Sequence, residues 1–238
     1  MAQKSQLIKA IQFTADETMA FINSLSEEQR TTSGLVDRWN ARDVLAHLAY
    51  SNQQMAKTLT AGQRSEAPPE GLSNEDAFLL YKDQPWENIL NELRQGYDSL
   101  VEQVQTLSEE ELNTPLDWLN GRPIWRAVAG TAVLHPIVHL TQALIERGEG
   151  EQAIRLNERA LPVEGCLDDG SDWLGMLQYN TGCYYALMGN KRLALENLES
   201  GFRLSSRMVE FAKDDSDLVS LRDDADFQAL QERFSSTG

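Results

Sequence analysis

Histidine is scarce in this chain of 238 residues, which has three, and cysteine is scarcer still, with two. Cys166 and Cys183 form no Cys-x-x-Cys pair, which argues against a zinc ribbon and a disulfide framework and leaves both expected as reduced, structural thiols. Basic residues number 21 against 37 acidic ones, a formal charge of −16. No stretch concentrates Lys and Arg, so nucleic acid and anionic membrane surfaces are not expected partners. No run approaches the roughly 18 uninterrupted apolar residues of a membrane span. The opening Met-Ala-Gln-Lys-Ser-Gln-Leu-Ile-Lys carries no apolar signal core or cleavage site, and the expectation is a cytoplasmic protein. Also missing are a nucleophile elbow, a phosphate-cradling Gly-rich loop and the Glu-x-x-His pairs of a di-iron bundle.

What is present is the placement of those few histidines. Leu134 to Leu140 reads Leu-His-Pro-Ile-Val-His-Leu inside a long apolar run, so a helix there puts His135 and His139, four apart, on one face. His47 lies in a second strongly helical stretch, Arg-Asp-Val-Leu-Ala-His-Leu-Ala-Tyr. Three neutral imidazoles plus an open coordination position describe a catalytic metal site rather than a closed structural one. Core histidines held by hydrogen bonds give the same pattern, and spacing alone does not separate the two.

Helical periodicity dominates, and the class it predicts is all-α. Leu7, Ile8, Ile11, Met19, Phe21 and Ile22 mark a first helix over about 4–24, followed by a capping box of Ser26 and Gln29. Asn40 caps a second helix running to about Thr60, with Asp43 in its first turn and Trp39 placed to staple onto Val44. Ala61 to Leu72, with Gly62, Pro68, Pro69 and Gly71, is expected to be a long crossover loop. Ser73 or Asn74 caps a short helix. Pro85 opens a longer one with the stripe Ile89, Leu93, Tyr97, Leu100, Val101 and Val104. Ser108 to Glu111 repeats the capping box, Asn120-Gly121 marks a turn, and Pro123 opens a fourth long helix to Arg147. Pro136 falls inside it and demands a kink. Asp37, Asn40, Arg42 and Val44 align with Asp117, Asn120, Arg122 and Ile124, suggesting related helix pairs in a four-helix bundle. Arg42, Arg122 and Arg126 read more simply as solvated than as substrate anchors. Asp43 reads as a cap before it reads as a partner of His47, and Glu87, Glu92 and Glu102 as a solvated face.

Residues 1–147 resemble the DinB/YfiT-like superfamily of four-helix bundles. The match rests on Trp39 followed by Asp43-Val44-Leu45-Ala46-His47-Leu48, a long third helix, and His135-x-x-x-His139. All three histidines of the chain occupy the family's positions. The resemblance implies a divalent metal, nickel or zinc most often, held by His47, His135 and His139. It further implies a metal-dependent thiol transferase, isomerase or hydrolase acting on a small molecule, a thiol or an electrophile.

Residues 148–238 hold 17 acidic and 9 basic residues, a net −8 that equals the net of residues 1–147. Two helical stretches, Asp172 to Met188 and Lys191 to Leu204, flank a Gly189-Asn190 turn and form a helical hairpin. Gly182, Tyr185, Gly189, Ala194, Leu198 and Gly201 resemble the packing positions of a tetratricopeptide repeat, without its Trp and closing Pro. Gly148, Ala153, Ala160 and Leu161 give a partial second match. The segment from Asp217 to Leu230 resembles the capping helix that closes such arrays. Because so little of an array buries its own apolar face poorly, packing against the fourth bundle helix is expected. A tail of this kind is a structural extension or a homodimer surface first. Alternatively it recruits a protein partner, the bundle being then a non-enzymatic scaffold.

Overall fold

The computed structural model describes residues 4–64, 66–168 and 170–235, and among them the protein is all-α, with thirteen α-helices and one pair of two-residue strands. The chain divides into two compact units, the first ending at Ala143 and the second beginning at Leu144.

In the first unit the four long helical runs form a bundle. They are α1 (Lys4–Ser24), α3 (Ala41–Gln63), α5 (Trp86–Thr106), and a composite run of α7 (Ile124–Ala129), a π-turn (Gly130–Leu134) and α8 (His135–Glu146). Around the ring α1 packs on α5, α5 on α3, and both α1 and α3 on the composite run. Leu7, Ile11, Leu45, Leu48, Ile89, Leu93, Leu100, Val128 and Val133 fill the interior. The short α2 (Glu27–Thr31) and α6 (Glu109–Asn113) each start at a complete capping box, Ser26 with Gln29 and Ser108 with Glu111. By length and apolar content Ile124–Glu146 would pass for a membrane span. Its apolar residues Ala132, Val133, Ile137 and Leu140 are buried in the protein instead.

Three elements differ from expectation. The α3 helix continues through Ala61 and Gly62 to Gln63. A Cβ on Gly62 would lie 2.5 Å from the Trp118 indole, so glycine serves here as a seat for a ring brought in by a distant loop. The crossover proper then runs to Ser73, whose side chain caps α4 (Asn74–Tyr81). Next, Asn120 and Gly121, both with positive φ, turn a small hairpin in which Leu116 pairs with Arg122. Asn40 precedes α3 in extended conformation, so the two aligned asparagines do different things. Finally, the disturbance at Pro136 takes the form of a π-turn rather than a simple bend. His135 N–H bonds to Gly130 O, five residues back, and Pro136, which has no N–H to give Ala132, follows directly.

The second unit holds α9 (Gly150–Gly165), α10 (Ser171–Leu187), α11 (Lys191–Leu204), α12 (Arg207–Phe211) and α13 (Ala225–Ser235). The α10–α11 hairpin turns at Gly189, φ 73°. Its helices approach closely because Gly182 lies against Leu198 and Gly201 against the backbone of Gly175 and Tyr179. Tyr179, Leu198, Phe202, Leu218, Phe227 and Leu230 share one core. The segment expected as a single capping helix is a 3-10 turn, Ser216–Leu221, followed by α13. Ala153 and Ala160 are fully buried on α9, and α9 packs on α10.

Candidate metal centre

Asn40 and Asp43 start α3, and two turns later the helix presents His47. Asp43 Oδ2 accepts from the backbone N–H of Gly34 at 2.6 Å and of Asn40 at 2.9 Å, so its carboxylate fastens the loop before the helix. Arg42, expected in solvent, is 2% exposed. Its guanidinium donates to Ser33 Oγ and to the carbonyls of Tyr81 and Gln84, tying the start of α3 to the end of α4. It is not part of the histidine cluster. Arg122 donates to Leu119 O within its hairpin. Of the acidic residues on α5, Glu92 is not a free solvated carboxylate, because it accepts the Tyr81 hydroxyl.

From the opposite wall, the first five residues of α8 deliver His135 and His139, one turn apart. Nε2 of His135 stands 3.0 Å from Nε2 of His47 and 3.0 Å from Nε2 of His139. All three candidate atoms lie within 4.8 Å of one another. The rings meet nearly edge-on, with interplanar angles of 80° and 82° from His47 to His135 and His139. Hydrogen bonding accounts poorly for this. Nε2 of His135 has either one N–H or one lone pair, and it faces two neighbours. A shared metal accounts for it better: nitrogens bound at about 2.1 Å stand about 3.0 Å apart at right angles and about 3.4 Å apart in a tetrahedron.

Electrostatics agree with that arrangement. Burial, and then repulsion by His135, push the His47 imidazole down to about 4. Burial, then His135 and His47, push His139 down to about 3. His135 is lowered by burial. All three rings are therefore neutral at pH 7 and keep a lone pair for a metal. Unusually for a ligand set, Nδ1 of His47 is buried with no hydrogen-bond partner among the described residues.

The three histidines singled out in the sequence are thus brought together, two from one helix and one from another. Sequence reasoning missed the neighbour of His47. Trp39, expected to staple onto Val44, lies with its ring 4.9 Å from the imidazole. Its place just before the cap and two turns ahead of His47 was the available signal. Among known proteins, a family model described as the DinB superfamily matches residues 10–143. No curated protein and no solved structure matches the chain.

Proposed function

The chain belongs to the DinB superfamily, whose members are typically metal-binding, and from that premise we propose that its bundle holds a divalent metal, nickel or zinc, on His47, His135 and His139. Held by His47, His135 and His139, such an ion would supply Lewis-acid chemistry, lowering the pKa of water to about 7 or favouring a thiol as its thiolate. The reading is of a metal-dependent thiol transferase, isomerase or hydrolase for a small-molecule substrate. The chain's own part is to keep three imidazoles unprotonated by burial and to hold them from two packed helices, which fix them more firmly than loops would.

One observation carries this: the chain's three histidines cluster, with His135 Nε2 3.0 Å from the Nε2 of both His47 and His139. Elemental analysis of untagged wild-type protein beside His47→Ala and His139→Ala tests it. Near-stoichiometric nickel or zinc in the wild type, lost in both folded variants, is expected. A wild type that takes up neither ion after incubation overturns the reading and leaves the C-terminal unit as the place to look for function.

A further inference from the structure

A metal-ligating histidine ordinarily donates its second ring N–H to a carboxylate or carbonyl, which fixes tautomer and ring angle. His47 has no such support. Its Nδ1 is buried and unpartnered among the described residues. The carboxylate one turn away, Asp43, is engaged by Gly34 and Asn40.

What lies against the imidazole is an indole. The Trp39 ring sits 4.9 Å from that of His47, the planes at 48°. The indole is itself held, since its Nε1–H donates to Val36 O at 3.1 Å. Two backbone hydrogen bonds between Leu35 and Arg38, at 2.9 and 3.0 Å, close the loop beneath it. Asp43 grips both ends of that loop, and Arg42 grips Ser33. The loop is therefore anchored on the first turn of the same helix that carries His47.

We propose that Trp39 is a positioning residue for the metal centre, its indole replacing the missing hydrogen bond as the element that sets the ring angle of His47. This rests on the metal reading above. Metal binding draws charge from the imidazole and leaves its far edge more positive. An electron-rich indole suits such a neighbour better than phenyl, and phenyl better than an alkyl group.

The test uses full-length apo protein as wild type, Trp39→Phe and Trp39→Leu, titrated with cobalt(II) and zinc alone. Affinity is read by competition with a chromophoric chelator, coordination by the visible cobalt spectrum, and proximity by quenching of tryptophan emission. Trp39→Leu is expected to bind about 10- to 100-fold more weakly, with an altered cobalt spectrum and an apo melting temperature near that of the wild type. Trp39→Phe is expected to fall between the two and to lose most of the cobalt-dependent quenching. Should Trp39→Leu fail to fold, the Phe variant decides alone through its affinity and spectrum. Wild-type affinity together with a wild-type cobalt spectrum in the variants overturns the inference while leaving the metal reading intact. A wild type that binds neither ion overturns both.

Discussion

The Nε2 of His47 stands 3.0 Å from the Nε2 of His135, a residue 88 positions away in the chain. At that distance only one of the two facing nitrogens can carry a proton, and this repulsion adds to burial, the larger cause, in setting how the bundle responds to acid.

In the unfolded chain these histidines titrate near 6.5, whereas in the fold His47 and His139 are pushed down to about 4 and about 3. Between those values the unfolded chain binds more protons, so the metal-free protein loses stability as pH falls from about 6.5 towards 4. Denaturant midpoints taken in chelator at pH 7.5, 6.0 and 5.0 should fall more steeply for the wild type than for His47→Gln/His139→Gln. Equal slopes would show that burial does not hold the rings neutral.

Gly62→Ala should destabilise, although alanine is the better helix former by about 1 kcal/mol. The new methyl would meet the Trp118 ring at 2.5 Å, an overpacking cost of about 1–3 kcal/mol. Adding Trp118→Leu should recover part of the loss. Chemical denaturation of the two single variants and the double variant measures the coupling.

Arg42→Met removes the donor to Ser33 Oγ and to the Tyr81 and Gln84 carbonyls. A loss of about 2–4 kcal/mol is expected from the acceptors left unpaired. That corresponds to a fall in melting temperature of roughly 5–15 °C, which scanning calorimetry will register.

In the C-terminal unit, burial raises the Glu164 carboxyl to about 7. Here the fold binds the extra proton, so stability is fully present below about 4.5 and is lost as pH rises through 7. Glu164→Gln should be close to neutral at pH 4.5 and stabilise by about 1–3 kcal/mol at pH 8. A variant equally stable or weaker at pH 8 would refute this.

The long helices and their starts could be read from the sequence because they rest on local chemistry: Ser26, Asn40, Ser73 and Ser108 each announce the helix that follows. His135 and His139 were readable for the same reason, one helical turn being a local distance. What escaped depends on partners far along the chain. Gly62 belongs to a helix because Trp118 arrives to cover it. Arg42 is buried because the carbonyls of Tyr81 and Gln84 meet it. Pro136 announced trouble in the helix, but the form of the remedy depended on packing against α1 and α3.

That remedy has a consequence for engineering. A turn closed five residues back instead of four holds one residue too many, and each residue of an α-helix advances the side chains by about 100°. Ile124 to Ala129 and His135 to Glu146 are thus two pieces of amphipathic helix set out of phase with each other, and the surplus position between Gly130 and Leu134 is the phase shifter. Deleting one residue there should swing both imidazoles about a quarter-turn away from His47, while leaving Pro136 to clash with the carbonyl four residues back without the π-turn that now accommodates it. An unshifted helical phase through this stretch and the meeting of His135 and His139 with His47 are therefore alternatives, and the irregular turn provides the second.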